Sequence, residues 1–439
     1  MIDETRKKGT PLLLVESGDF LFKGKPKTPE EMASARAKAD FILRSYRRMG
    51  YDAVLPGEAD FAGGLSLLRD HEKRGIPFTC LNLVHARSGK PVFPPYRKIS
   101  RGGRKFIVVG VIGQGLFPKG AIAGSGWKIL PPRETLARFL ETREAEADII
   151  VLLTHLGEKE DIALARGARQ PLLIFGAHGK ASSPLPVSES GSLVSRPGDR
   201  GKHLVEAAIV RNGNSGHRGR IDFMDARSLE SYKERRRILE EDIKRMEVRR
   251  QKIYEKALES YDKTIREAEG KRKVLFRSIP LDSSVADDPK ITAMFDEYKK
   301  RAEHIARTSE KPATAKSEYR GNDSCSPCHA GNFAAWRQDA HSNAFETLKK
   351  QGDQANPDCI GCHVTGYGAG GFLLASTSRS KAFEGVGCES CHGPGKGHPG
   401  RRMTIPREMT CAPCHAGLGP FPFEKKLHLL GCVRLRSRQ

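Results

Sequence analysis

The amino-acid sequence predicts a multi-domain chain with an α/β domain, an α-helical hairpin and a carboxyl-terminal segment of little regular secondary structure. Residues 1–225 alternate short apolar runs with helical stretches, and residues 226–310 are highly charged with apolar positions at helical spacing. The last quarter repeats one cysteine motif. Because 439 residues are too many for one ordinary core, we expect domains at 1–225, 226–310 and 321–439, with 311–320 as a polar linker.

The α/β prediction for residues 1–225 depends on the order of their apolar segments. Seven short apolar runs are the predicted strands, at 12–15, 52–55, 78–83, 106–112, 149–153, 172–175 and 204–210. Helical spacing predicts helices at about 30–48, 60–74, 133–145 and 158–168. Gly63-Gly64 is a poor helix start, which favours a beginning of the second helix nearer Leu65.

Residues 226–310 are predicted to form a helical hairpin. The apolar positions on a three-four alternation are Leu229, Tyr232, Leu239, Ile243, Met246, Ile253 and Ala257. Residues 279–288 contain Pro280 and cannot continue a helix, and a second helix is expected to begin at Asp288 and Pro289. We interpret the hairpin as a spacer; a dimerisation arm is the alternative.

The repeated cysteine motif is C-x-x-C-H, and it occurs four times. Its positions are Cys325, Cys328 and His329; Cys359, Cys362 and His363; Cys388, Cys391 and His392; and Cys411, Cys414 and His415. Two thiols at this spacing each form a thioether to a haem vinyl group, and the adjacent imidazole ligates the iron. Zinc ribbons also repeat C-x-x-C, but they need no histidine after every second cysteine. The motif therefore predicts four covalently attached haems c, whose macrocycles form the core of the segment.

Each haem iron needs a ligand on the face opposite its motif histidine. The candidates outside the motifs are His341, His398, His428 and, less well placed, His304. Met403 and Met409 are alternatives, and thioether ligation would raise the reduction potential. We expect two histidine ligands at three haems. The fourth iron can then stay five-coordinate, and a small molecule would bind at its open coordination position.

Several stretches of residues 319–398 resemble the tetrahaem cytochrome c-554 family. They are Tyr319-Arg320-Gly321, Cys325-Ser326-Pro327-Cys328-His329, Trp336, His341, Cys362-His363-Val364-Thr365-Gly366-Tyr367-Gly368, Gly387-Cys388-Glu389-Ser390-Cys391-His392-Gly393-Pro394-Gly395 and His398. The resemblance implies a domain that passes electrons between stacked haems. It also implies that His341, His398 and His428 are the distal iron ligands.

Four polar residues follow predicted strands of the α/β domain. Asp19, Glu58, His155 and His178 stand shortly after the strands at 12–15, 52–55, 149–153 and 172–175. In open α/β sheets ligands bind at the carboxyl ends of strands, so these side chains are expected to converge. Imidazoles and carboxylates together can hold a divalent metal.

The α/β domain also resembles the calcineurin-like metallophosphoesterase domain of the 5′-nucleotidase family. The matching stretches are Glu16-Ser17-Gly18-Asp19-Phe20, Tyr51-Asp52-Ala53-Val54-Leu55-Pro56-Gly57, Asn82-Leu83, Gly89-Lys90-Pro91-Val92-Phe93-Pro94-Pro95-Tyr96, Thr154-His155-Leu156-Gly157 and Gly176-Ala177-His178. The resemblance implies a sandwich fold with a two-metal site that polarises phosphate and activates water.

Departures from that family pattern argue against hydrolysis. The family has Gly-Asn-His-Glu where this chain has Gly57-Glu58-Ala59-Asp60. Glu58 thus replaces a metal-binding Asn, and Ala59 replaces the His that protonates the leaving group, a loss that typically costs about 10²–10⁴-fold in rate. The family's opening Asp-x-His is absent, and Lys180 replaces a further His or Gln. We expect either one divalent metal at Asp19, Glu58, His155 and His178, or a domain that serves as a scaffold or docking surface.

Charge and apolar pattern indicate the compartment and the partners. The net charge of +22 is spread along the chain without a single basic arm, which favours a diffuse surface for acidic redox partners over nucleic-acid binding. No stretch approaches the length of a transmembrane helix, and the apolar run at 12–15 is too short for an export signal. Covalent haem attachment takes place outside the cytoplasm, so we expect a periplasmic or extracellular protein in which Met1 is an internal start.

The sequence therefore predicts an exported electron carrier with donor and acceptor redox proteins as partners. It leaves the assembly undecided among a membrane-associated electron-transfer complex, an oligomer and a filament. Two alternatives stay open. One is a reductase that acts on a small oxidised substrate at a five-coordinate haem. The other is a metal-dependent phosphoesterase with accessory haems, against which Ala59 argues.

Overall fold

The computed structural model describes residues 1–26, 28–117, 125–179, 183–198, 201–210, 222–244, 248–269, 271–309, 317–374, 377–404, 406 and 408–415. Contacts within the chain divide it into two compact units. The amino-terminal unit comprises Met1–Lys25 and Ile42–Asp288, and the carboxyl-terminal unit comprises Pro26–Phe41 and the chain from Pro289 onward.

The amino-terminal unit is an α/β structure around a six-stranded sheet. Its strands are β1 (Val15–Glu16), β2 (Ala53–Val54), β3 (Leu83–His85), β4 (Tyr96–Arg101), β5 (Arg104–Ile112), β6 (Trp127–Ile129), β7 (Ile149–His155), β8 (Leu173–Ala177), β9 (Ser183–Glu189), β10 (Ser192–Arg196), β11 (His203–Ile209), β12 (Phe223–Asp225) and β13 (Arg272–Pro280). Its helices are α1 (Ile2–Lys7), α3 (Leu65–Lys73), α4 (Pro132–Arg143), α5 (Glu158–Gly167), α6 (Ala226–Lys244) and α7 (Val248–Glu269). Helix α2 (Pro29–Met49) contributes to both units.

The central strands of the large sheet are parallel. Its order is β4-β5-β7-β8-β10-β9, with antiparallel pairing only at β4 and β9, the two edges. Every residue of β7 is buried, as expected for a parallel strand covered on both faces. Helices α4 and α5 cover part of the sheet through Leu136, Phe139 and Leu164. Strands β1 and β2 form a separate parallel pair.

The predicted strands and helices of this unit are largely confirmed. Strands β5, β7, β8 and β11 and helices α2 to α5 lie where the apolar pattern placed them, and α3 begins at Leu65. The strand expected at 78–83 is wrong: Phe78 makes a single bridge to Val54, and β3 begins only at Leu83. Strand β4 was not predicted, because three of its six residues are charged and all six are partly or fully exposed at the sheet edge.

The predicted helical hairpin is corrected: the stretch expected to form its first helix, with an apolar seam over residues 229–257, forms two separate helices. Helices α6 and α7 pack together, and Arg236 Nε donates across the pair to Asp262 Oδ1 at 2.6 Å. The following residues form strand β13, where a continued helix was expected. β13 pairs with β11 and β12, and burial of its alternate residues Val274 and Phe276 favours a strand.

The predicted break ends at Pro289, where helix α8 (Pro289–Ser309) begins. Tyr298 and Ala302 of α8 pack with Ala37 in the carboxyl-terminal unit. Contacts thus group α6, α7 and β13 with the amino-terminal unit and α8 with the carboxyl-terminal one. The domain limits at 225, 310 and 320 stay a prediction, and much of the 311–320 linker lies outside the described residues.

Among its described residues, the carboxyl-terminal unit contains six short helices after α8. They are α9 (Ala330–Arg337), α10 (Ala344–Gln351), α11 (Pro357–His363), α12 (Thr377–Lys381), α13 (Cys388–His392) and α14 (Glu408–His415). A small side-chain core lies among them, formed by Phe345, Leu348, Ile360, Val364, Phe372 and Phe383. The expectation that macrocycles alone form the core is therefore corrected: apolar side chains already pack around the second motif. None of the helices in the described ranges is both long and apolar enough to span a membrane.

Candidate haem-attachment and metal sites

The four cysteine motifs lie at short helical turns. The first begins at the end of a 3₁₀ turn (Asn322–Cys325) and its His329 immediately precedes α9. The other three motifs lie within α11, α13 and α14. Helical geometry places residues three apart on one face, so both thiols of such a motif can reach one macrocycle.

The motifs approach one another in pairs through their thiols. The hydrogen bond between Cys325 and Cys388 lowers the pKa of Cys325 to about 6 and raises that of Cys388. Burial is the main cause that raises the pKa of the Cys414 thiol to about 12, and the hydrogen bond with Cys362 is the second cause. The first motif thus lies beside the third, and the second beside the fourth.

Two motif histidines face histidines from outside the motifs. The ring centroids of His329 and His398 are 5.9 Å apart, and those of His341 and His415 are 6.0 Å apart. Two metal–nitrogen bonds of about 2 Å each would hold a pair of ring nitrogens about 4 Å apart. Centroids near 6 Å are compatible in distance with one metal ion bound to a nitrogen of each ring.

Hydrogen bonds orient several of these imidazoles for ligation through Nε2. The Nδ1 atoms of His363, His392 and His398 lie 2.7, 2.9 and 3.1 Å from the carbonyl oxygens of Ala344, Thr404 and Arg401. A carbonyl only accepts, so Nδ1 carries the proton and Nε2 keeps its lone pair. Ligating histidines commonly show this arrangement. The residues present therefore fit haem iron.

The remaining ligand candidates differ in placement. His341 Nδ1 lies 3.3 Å from Asp339 Oδ1, which also suits ligation through Nε2. His304 is exposed on α8, and Met409 is 83% exposed. Met403 is half-buried. His428, Cys432 and Lys180 lie outside the described residues.

Asp19, Glu58, His155 and His178 lie together in the amino-terminal unit. One ligand atom from each falls within 4.8 Å of all the others. His155 is the last residue of β7, His178 follows β8, and the two acids lie in the loops after β1 and β2. The carboxyl ends of two parallel strand pairs therefore supply this cluster, as expected for an α/β sheet.

The cluster is dominated by contacts between imidazoles and carboxylates. His155 Nε2 lies 2.7 Å from Glu58 Oε2 and 3.2 Å from Asp19 Oδ2, and His178 Nδ1 lies 2.9 Å from Glu58 Oε1. Burial alone would lower the pKa of His155, but the two carboxylates raise it to about 10. Burial likewise opposes ionisation of Glu58, yet His155 brings its pKa below the ordinary value.

Two readings of this cluster are physically sound. Without metal, a protonated His155 neutralises part of the carboxylate charge. Yet Glu58 Oε2 and His155 Nε2 are buried and lack a well-aligned hydrogen bond, although they lie close together. His155 Nδ1 bonds the Ser17 carbonyl at 2.9 Å, which leaves Nε2 aimed into the cluster. Two imidazoles and two carboxylates fit one divalent transition metal.

Asp60 organises the two acidic loops, a role that sequence reasoning missed. It is fully buried, and its carboxylate accepts the backbone N–H groups of Asp19, Leu21 and Gly57 at 2.8 to 2.9 Å. Burial raises the pKa of Asp60 to about 7 in spite of these bonds. Its only signal in the sequence is a second acid two residues after Glu58.

The backbone at two of the four cluster residues is left-handed. Asp19 has φ of 61° and His178 has φ of 71°, conformations that non-glycine residues rarely adopt and that concentrate at functional sites. Arg196 holds the His178 turn by donating to the His178 carbonyl oxygen, and it pairs with Asp161. Both charged side chains are almost completely buried.

Comparisons with known proteins agree with both parts of this description. The family model described as cytochrome c554 and c-prime matches residues 324–393. Cytochrome c-554 of Nitrosomonas europaea is 38% identical over 109 residues, which cover 21% of this chain and 46% of that protein. Protein UshA of Yersinia enterocolitica is 28% identical over 170 residues, which cover 37% of this chain and 30% of that protein.

A solved structure is similar over more of the chain. The 5′-nucleotidase precursor of Thermus thermophilus has a TM-score of 0.46 and 16% identity over 80% of this chain and 60% of its own. This chain spans less than half the length of the two curated relatives. The two resemblances identified in the sequence are confirmed: a region near the carboxyl terminus matches the cytochrome c554 family model, and a region similar to UshA precedes it.

Proposed function

We propose that this chain is an exported multihaem c-type cytochrome that transfers electrons between redox partner proteins through four covalently bound haems. The similarity to cytochrome c-554 supports a c-type electron carrier. The four complete C-x-x-C-H motifs extend this proposal to four haems.

The placement of histidines opposite motif histidines is the observation that carries the proposal. His398 faces His329 and His341 faces His415, each at a spacing that suits one iron. The haem supplies one-electron chemistry when bound. The chain's own contribution is to tether it through paired thiols, to hold the imidazoles of His363, His392 and His398 by Nδ1 hydrogen bonds, and to bring the motifs close in pairs.

Maturation in a host that attaches haem c tests this function. The purified protein is expected to show a c-type reduced spectrum and an intact mass that includes four haems. A variant with Cys359→Ala and Cys362→Ala is expected to carry three, whereas Cys80→Ala, which changes a cysteine outside the motifs, keeps four. A wild-type mass that includes fewer than four haems would contradict the proposal.

Closed coordination distinguishes a carrier from a reductase. A pure carrier has two protein ligands at each iron, whereas a reductase keeps one iron open to its substrate. Carbon monoxide titration of the reduced protein counts the open irons. Binding of one equivalent of carbon monoxide, together with nitrite reduction, would favour the reductase alternative. Absence of carbon monoxide binding would favour a carrier.

We further propose that Asp19, Glu58, His155 and His178 bind one divalent metal. Their convergence and the two poorly satisfied buried atoms support this. Position 59 offers only a methyl group, and its backbone N–H donates to Asp19 Oδ1 at 2.8 Å, so this position supplies no acid to a leaving group. Metal analysis after dialysis against manganese is expected to show one ion, while hydrolysis of a generic phosphate ester stays near background.

Export and partner binding are also part of the proposal. The relative cytochrome shares the haem domain, and the diffuse basic charge of this chain suits acidic redox proteins. Fractionation of the native organism is expected to place the protein in the periplasm or outside the cell. Light scattering and electron microscopy of the native material distinguish a monomer from an oligomer or filament.

A further inference from the structure

Glu389 lies between the two cysteines of the third motif and is buried. Its side chain is 2% exposed, on the short helix α13. The carboxylate accepts backbone N–H groups from Arg320 at 2.9 and 3.1 Å, from Gly321 at 2.8 Å and from Gly395 at 2.6 Å. One side chain thus joins two segments that are far apart in the sequence.

Both segments lead directly to other parts of the haem machinery. Gly321 precedes the 3₁₀ turn that ends at Cys325, the first cysteine of the first motif. Gly395 lies three residues before His398, the histidine that faces His329. Glu389 therefore links the third motif, the start of the first motif and the loop of a distal ligand candidate.

Neighbouring polar contacts hold α13 in the same place. Asn322 Oδ1 accepts the backbone N–H of Cys388 at 3.2 Å, and Thr365 Oγ1 accepts that of Gly387 at 2.8 Å. A Cβ at Gly387 would collide with the Asn322 side chain, so the two segments touch closely. The position of Glu389 is thus determined by contacts on both sides of the helix.

The carboxylate of Glu389 carries a charge that its donors do not cancel. Those donors are neutral amides, which hold an ionised carboxylate in place. Burial is the main cause that raises the pKa of Tyr319, and the nearby charge of Glu389 is the second cause. In a buried environment such a charge is weakly screened.

We propose that Glu389 is a positioning residue for the first and third haem sites and a fixed negative charge that lowers the reduction potential of the haem attached at Cys388 and Cys391. A negative charge stabilises the ferric form over the ferrous form, because oxidation adds one positive charge to the iron. The inference rests on the proposed function, since it requires attached haem.

The test compares two substitutions that remove the same charge. Glu389→Gln removes the buried carboxylate, and Glu318→Gln removes an exposed one close by in the same unit. Each protein is matured with haem, its haem number is read from the intact mass, and its midpoint potentials are measured by spectroelectrochemical titration. Glu389→Gln is expected to raise at least one potential, while Glu318→Gln matches the wild type. Unchanged potentials in Glu389→Gln would overturn the inference.

A conservative variant covers the case in which Glu389→Gln does not retain haem. Glu389→Asp keeps the charge but is one methylene shorter, so it cannot reach all three amides equally. It is expected to restore haem and wild-type potentials with a lower melting temperature; equally poor haem retention would overturn the inference. Wild-type protein without haem would instead overturn the proposed function, and this inference with it.

Discussion

The imidazole rings of His329 and His398 face each other with centroids 5.9 Å apart and planes inclined by 26°. One belongs to the first haem motif and the other to a loop after the third. His398 Nδ1 bonds the Arg401 carbonyl oxygen, so its Nε2 is available to a metal. The fold therefore places one of the several distal-ligand candidates, His398, beside His329.

Replacement of His398 by alanine is expected to open one iron. The His398→Ala protein should retain its haems, because both thioether cysteines of each motif are unchanged, and should bind one more equivalent of carbon monoxide than the wild type. Optical titration of the dithionite-reduced protein measures this. His304→Ala, which removes an exposed histidine of α8, is the control and should bind no more. Equal binding by both variants would exclude His398 as an axial ligand.

Replacement of Glu58 by alanine is expected to weaken metal binding in the amino-terminal unit. Glu58 contacts both His155 and His178, and loss of even an outer-sphere partner typically costs about 10–100-fold in affinity. Calorimetric titration with manganese should therefore show at least a tenfold weaker site. Glu160→Ala removes an acid from the solvent-exposed pair with Arg133 and serves as control. An unchanged manganese affinity in the Glu58→Ala protein would indicate that the four side chains form an ion cluster that binds no metal.

The buried pair of Asp161 and Arg196 should matter for stability. Removal of one partner leaves an uncompensated buried charge, so Asp161→Ala is expected to lower the free energy of unfolding by about 3–5 kcal/mol. The exposed pair of Glu160 and Arg133 is expected to contribute about 0–1 kcal/mol. Urea unfolding followed by circular dichroism compares Asp161→Ala with Glu160→Ala. Similar midpoints for the two variants would refute the expected difference.

Cys80 is expected to be inert in the folded protein. It is fully buried, and burial raises its thiol pKa to about 12, so the reactive thiolate is scarce at neutral pH. Wild-type protein and Cys80→Ala should therefore take up the same amount of a maleimide when native. After denaturation the wild type should take up one more equivalent, as mass spectrometry can show. A native difference between the two would mean that the thiol is accessible.

Local spacing was sufficient to predict much of this protein. The four haem motifs depend on residues only a few positions apart, and the buried strands β5, β7 and β8 appear as continuous apolar runs. Asp19, Glu58, His155 and His178 could be selected because each stands near the end of a predicted strand, where α/β sheets gather their ligands. These features follow from periodicity and covalent geometry, which the order of residues contains directly.

Contacts between distant segments required the tertiary structure. The sequence offered several distal histidines, but only the folded chain places His398 opposite His329. Asp60 and Glu389 gained their roles because their carboxylates accept backbone N–H groups from separate loops. Strand β13 likewise depends on pairing with β11, against a local pattern that favoured a helix. Every residue except proline has the same backbone N–H group. The pattern of side chains in a sequence therefore does not indicate which carboxylate will accept hydrogen bonds from which backbone segment.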